Sequence, residues 1–211
     1  MTQPGPKSSY PSTDHPTEPD DLSPTTATIL QNAGPSAFRS LVLRGPTPAS
    51  AIAAIKGVRP EQLLTAPIAD PDDANAMLAG LWLWHGGLAE AHKIAQDIAS
   101  PTGSFWHAIV HRLEADYGNS KYWYARCQDH RAMRMLGAVG DSLVGSAASD
   151  PLVGRVLDGG WNGPALVDLV EAVVDSPHDP RHAAAVKLQQ AEWQALFRHC
   201  AFAAAGRPLT D

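Results

Sequence analysis

His107, His111 and Glu114 stand at positions i, i+4 and i+7, which on an α-helix lie within about 60° of one another. Imidazoles one turn apart can hold a divalent metal such as zinc. A carboxylate a turn further on can ligate, orient a ring or act as a base. Phe105, Ile109, Val110 and Leu113 fill the adjoining arc, so the polar row borders the buried face of its helix. His85 and His92 lie on the two preceding helical segments and are the candidates for a third nitrogen. Glu114 is the candidate catalytic group. Trp84, Trp106, Arg112, Asn119, Tyr122 and Trp123 crowd the same stretch. Aromatic walls with a few convergent polar groups are how small-molecule pockets are built, so these six are the candidate ligand-binding residues.

A plainer reading stands beside this one. The glutamate that a zincin helix needs next to its first histidine is absent, since Ala108 stands there. Histidines beside an apolar face commonly serve packing, and Arg112, Glu114, Asp116 and Lys121 can form ion pairs at helical spacing.

The elements that must position these residues announce themselves by their starts. Asp70-Pro71, Ser100-Pro101, Asp150-Pro151 and Asp179-Pro180 each put a capping side chain before a proline suited to the first helical position. Helices are expected over about 71–85, 88–99, 102–117, 119–128, 131–145, 151–158, 164–175 and 180–205. In the last, Val186, Trp193, Leu196, Phe197, Cys200, Ala201 and Ala204 form one apolar stripe that should lie on the core. No run alternates as a half-buried strand does. The fold class is therefore all-α.

Two consecutive segments read as helical hairpins, Met77 to Ile98 broken at Gly86-Gly87 and Phe105 to Gln128 broken at Gly118. The spacing resembles a tetratricopeptide hairpin over about fifty residues. That resemblance implies that each pair of helices buries its seam against the next. The expected architecture is a helical-hairpin bundle, partly tetratricopeptide-like. It forms a single domain over residues 35–211 behind a disordered tail over 1–34. In residues 1–26 six prolines and four acids accompany one lysine, and the only large apolar side chains besides Met1 are Tyr10 and Leu22. That is too little apolar surface to offset ordering entropy.

The formal charge of −6 argues against a nucleic-acid or anionic-membrane partner. No apolar run reaches the ~18 residues of a membrane span. With no secretory or transit signature at the start, the expected location is cytoplasmic. Cys127 and Cys200 are too few for a disulfide framework and lack metal-ligand spacing.

Gly140-Asp141-Ser142-Leu143 is similar to the signature of GDSL hydrolases, and Asp179-Pro180-Arg181-His182 to their closing Asp-x-x-His. The resemblance implies Ser142 as nucleophile, His182 as base and Asp179 as orienter. Against it, the 40 positions from Ser142 to His182 are too few to lay down a parallel α/β sheet. Three functions are thus expected in order: a helical binding or scaffold protein with an aromatic- and His-rich groove for a protein or small-molecule partner; a metal-assisted hydrolase or lyase; and, remotely, a GDSL-type esterase.

Overall fold

The computed structural model describes residues 21–34, 37–127 and 129–207. Within them the chain is all-helical, with one isolated antiparallel bridge between Leu22 and Leu64. The helices are α1 (Pro24–Asn32), α2 (Ala49–Ile55), α3 (Pro71–Trp84), α4 (Leu88–Ala95), α5 (Pro101–Leu113), α6 (Tyr117–Arg126), α7 (Arg131–Val144), α8 (Pro151–Leu157), α9 (Gly163–Val173) and α10 (Pro180–Ala204). No helix among the described residues is long and apolar enough to cross a membrane.

The four expected capping residues do their work. Asp70, Ser100, Asp150 and Asp179 each accept from backbone N–H groups of the first turn, which would otherwise lack partners. Asn162 does the same for α9, accepting from Ala165 N at 3.0 Å. α5 stops at Leu113, short of the expected Tyr117, because Ala115 turns into the left-handed region at φ +63° and Asp116 caps a new helix through Asn119 N. The chain reverses there and α6 folds back on α5.

Part of the expected tail is ordered structure. Residues 1–20 lie outside the described residues, but Asp21–Gly34 carries α1, with Thr26 and Ile29 buried. The polar side chains that made this segment look unfoldable are spent on backbone carbonyls. Ser23 Oγ donates to Gln62 O at 2.6 Å and Thr26 Oγ1 to Leu63 O at 2.7 Å. Composition counts such groups as solvated, whereas here each finds a backbone acceptor in a distant segment. α2 is a second unforeseen helix, beginning straight after Pro48.

α3 packs on α4 and α5 on α6, and the two pairs meet through α3, α4 and α5. Beyond them α6 packs on α9, α7 on α10 and α8 on α9. α10 runs against α3, α7 and α9 and supplies Trp193, Leu196, Phe197, Cys200, Ala201 and Ala204 to a core shared with α3 and α5. A second apolar cluster joins α8 and α9 to the first half of α10, and Tyr117, Met133 and Ala195 touch both clusters.

Candidate metal centre

α5 carries His107 and His111, α4 brings His92 to them, and one ring nitrogen from each lies within 4.8 Å of those of the other two. His92 Nε2 and His107 Nε2 are 2.9 Å apart. That is the spacing of two donors about 90° apart around an ion 2.0–2.1 Å from each. The His107 and His111 rings stack at 4.7 Å between centroids, and His92 meets both edge-on at 4.7 and 4.9 Å. Trp123 of α6 covers the outer face of the group, stacked on His107 at 4.1 Å.

Glu114, the residue that closes α5, reaches both helices. One carboxylate oxygen accepts from His92 Nδ1 at 3.0 Å, and the other stands 2.9 Å from His111 Nδ1. Asp116 stands 3.8 Å from the same His111 nitrogen. Asn119 Nδ2 lies 3.1 Å from His111 Nε2. His107 Nδ1 is buried without a partner. His107 and His111 are each 6% exposed. Burial, with His111 and His92 alongside, pushes the His107 ring down to about 4. Burial also lowers His111, against the opposing pull of Glu114. In both rings burial thus favours the neutral form, the one that can bind a metal. Solvent reaches the cluster at the His92 and Glu114 side chains, which are 30% and 29% exposed.

The other expected site residues go elsewhere. His85 turns away from the cluster and bonds Ile29 O through Nε2 at 2.8 Å, holding α1. Trp84 donates to Leu30 O and packs on Trp193 at 4.3 Å. Trp106 is fully buried, with its indole N–H on Cys200 Sγ. Trp106 fills the core, and Trp84 lies half-buried against it, covered in part by α1 and α10, both distant in sequence. Tyr122 is exposed, with the Arg126 guanidinium over its ring.

Arg112 does not reach solvent either. It is fully buried and paired with Glu192 at 2.5 Å, and it also bonds the Tyr124 hydroxyl. Glu192 in turn accepts from Tyr124 at 2.7 Å and Trp161 at 3.3 Å. Glu192 was not among the expected residues. The available signal was a lone acid immediately before Trp193, on the flank of the α10 apolar stripe.

His130 and His199 form a second imidazole pair, 4.4 Å between centroids. His130 Nδ1 accepts from Ala132 N at 3.2 Å, so its proton sits on Nε2 and points to Thr102 Oγ1 at 3.2 Å. With its free lone pair already engaged, this ring cannot serve as a base for the hydroxyl.

The GDSL-like residues do not assemble. Ser142 lies within α7 with its hydroxyl on Val139 O, and Asp179 is occupied by the backbone and guanidinium of Arg181. Two cavities open away from the histidines. One of about 580 Å³ lies between Tyr124, Met133, Arg134 and the 158–164 loop. The other, of about 340 Å³, is bounded by Ser100, Ser104 and Arg126.

Compared with protein-family models, with curated proteins and with solved structures, the chain gave no match.

Proposed function

We propose that this helical protein binds one divalent transition-metal ion through His92, His107 and His111. The observation that carries the reading is the convergence of three imidazole nitrogens from two helices within 4.8 Å. Three nitrogen donors with no thiolate favour ions of the zinc, nickel or copper type over magnesium or calcium, which take oxygen. The neutral, desolvated state of His107 and His111 and the partnerless Nδ1 of His107 support the same reading. The two hairpins α3–α4 and α5–α6 serve as its frame. We take one domain to include α1, since Ile29 belongs to the same core as α3, α5 and α10.

Three protein nitrogens leave a fourth position for water, the arrangement that hydrolytic and hydrating zinc sites use. Metal-assisted hydrolysis or lyase chemistry is favoured over a scaffold role by the part-exposed side chains of His92 and Glu114 beside two buried imidazoles. The aromatic groove that a scaffold reading needs is weakened, with Trp106 inside the core and Trp84 half-buried against it.

The test is metal analysis of untagged protein, incubated with zinc and desalted. The reading expects one zinc per chain, lost in His107→Ala/His111→Ala. Less than a tenth of an equivalent in the unaltered chain, or full retention in the variant, contradicts it.

A further inference from the structure

We infer that Glu114 is neither a metal ligand nor a base but a positioning residue. It fixes the tautomers of His92 and His111 so that both present Nε2 to the ion, while Asn119 competes with the ion for one of those nitrogens. The inference rests on the metal reading above and deepens it.

A carboxylate only accepts hydrogen bonds, so each ring nitrogen facing Glu114 must carry its proton. Both oxygens are engaged, with His92 Nδ1 at 3.0 Å and His111 Nδ1 at 2.9 Å. A ring that carries a single proton and holds it on Nδ1 leaves its Nε2 bare. The surroundings agree. His92 Nε2 faces His107 Nε2 at 2.9 Å, where one of the two must donate and the other accept. With His92 bare there, His107 Nε2 is the donor, and its Nδ1 becomes the acceptor that the fold leaves without a partner. The Asn119 amide nitrogen sits nearer to His111 Nε2 than to Nδ1, at 3.1 against 3.4 Å, as a donor to a bare Nε2 should.

Glu114 therefore presets two of the three donors across the boundary between the two hairpins. Outer carboxylates of this kind fix ring orientation and raise ligand basicity, and their loss weakens metal binding by about 10- to 100-fold. Asn119 acts in the opposite sense. The ion must displace its hydrogen bond, whose removal is worth roughly two- to tenfold in affinity.

The experiment reads tautomers and affinity separately. Long-range proton–nitrogen correlation spectra of the metal-free protein report which ring nitrogen of each histidine is protonated. Competition against a chromophoric chelator reports zinc affinity. In the unaltered chain, His92 and His111 should both be protonated on Nδ1. Glu114→Gln offers one acceptor and one donor, so one ring must invert its tautomer, and zinc affinity should fall 10- to 100-fold. Asn119→Ala should leave the tautomers alone and raise affinity two- to tenfold. Unchanged tautomers in Glu114→Gln overturn the inference. So does a loss as complete as that of His107→Ala, which would make Glu114 a ligand. If the tautomers invert as expected but no chain takes up zinc, the positioning role stands and the metal reading falls.

Discussion

Removing the charge of Glu192 should destabilise the protein more than any surface change can. Its carboxylate and the Arg112 guanidinium are both 0% exposed and 2.5 Å apart, and Tyr124 and Trp161 donate to the same carboxylate. Glu192→Gln keeps the shape and one acceptor oxygen but strands a buried cation, whose Nε already lacks a hydrogen-bond partner. Breaking one side of such a pair costs about 3–5 kcal/mol. At ~2–4 °C per kcal/mol for a chain of this size, the melting temperature should drop about 6–20 °C. Arg112→Met/Glu192→Gln removes both charges and leaves the amide oxygen to accept from Tyr124 and Trp161. It should recover most of the loss, giving a coupling of about 2 kcal/mol or more. Urea unfolding of the two single variants and the double variant measures this, with an unchanged denaturant slope as the check that the folded state persists. A loss below about 1 kcal/mol for Glu192→Gln, or strictly additive losses in the double variant, would refute the reasoning.

Two further outcomes follow from local features. Ala115 holds φ +63° between α5 and α6, a conformation that costs a side chain roughly 1–2 kcal/mol. Ala115→Gly should therefore raise stability by about 0.5–1 kcal/mol by chemical denaturation, less than the full strain because glycine also loosens the unfolded chain; a loss would show that the strain is not there. The acid response should combine opposed groups, among them His130, in the same sense as His107, and Asp73. Burial, with His199 alongside, lowers His130 to about 3, so its contribution is complete above pH 6.5 and is lost as pH falls towards 3. Burial, with Asp70 nearby, raises Asp73 to about 6, so its contribution is complete below pH 3.8 and is lost as pH rises through 6. Asp73→Asn removes the second effect, and its melting temperature should fall more steeply than that of the unaltered chain between pH 6 and 4. Parallel profiles would contradict this.

Local signals in the sequence carried most of the secondary structure. The cap-then-proline pairs at 70, 100, 150 and 179 each begin a helix, because a cap and its first turn are settled within four residues. The same locality explains how the His107–His111–Glu114 row was visible: one helix and its closing residue define it. His92 could be named but not paired, since its place depends on how α4 packs against α5. What escaped depends on contacts between distant segments. His85 is drawn to Ile29 by α1, 56 positions earlier. Arg112, expected to contact a ligand, is claimed by Glu192, 80 positions later. Trp84 and Trp106 were candidate pocket walls until α10 closed over them. Residues 21–34 looked unfoldable because composition does not reveal that the Ser23 and Thr26 hydroxyls find carbonyls at 62 and 63.

The most direct test is X-ray absorption at the zinc edge of the zinc-loaded, untagged protein. Three imidazole nitrogens at about 2.0–2.1 Å and one further light atom are expected, with the imidazole count reduced in His92→Ala. A sulfur shell near ~2.3 Å, or a zinc surrounded by fewer than two imidazoles, would contradict the account.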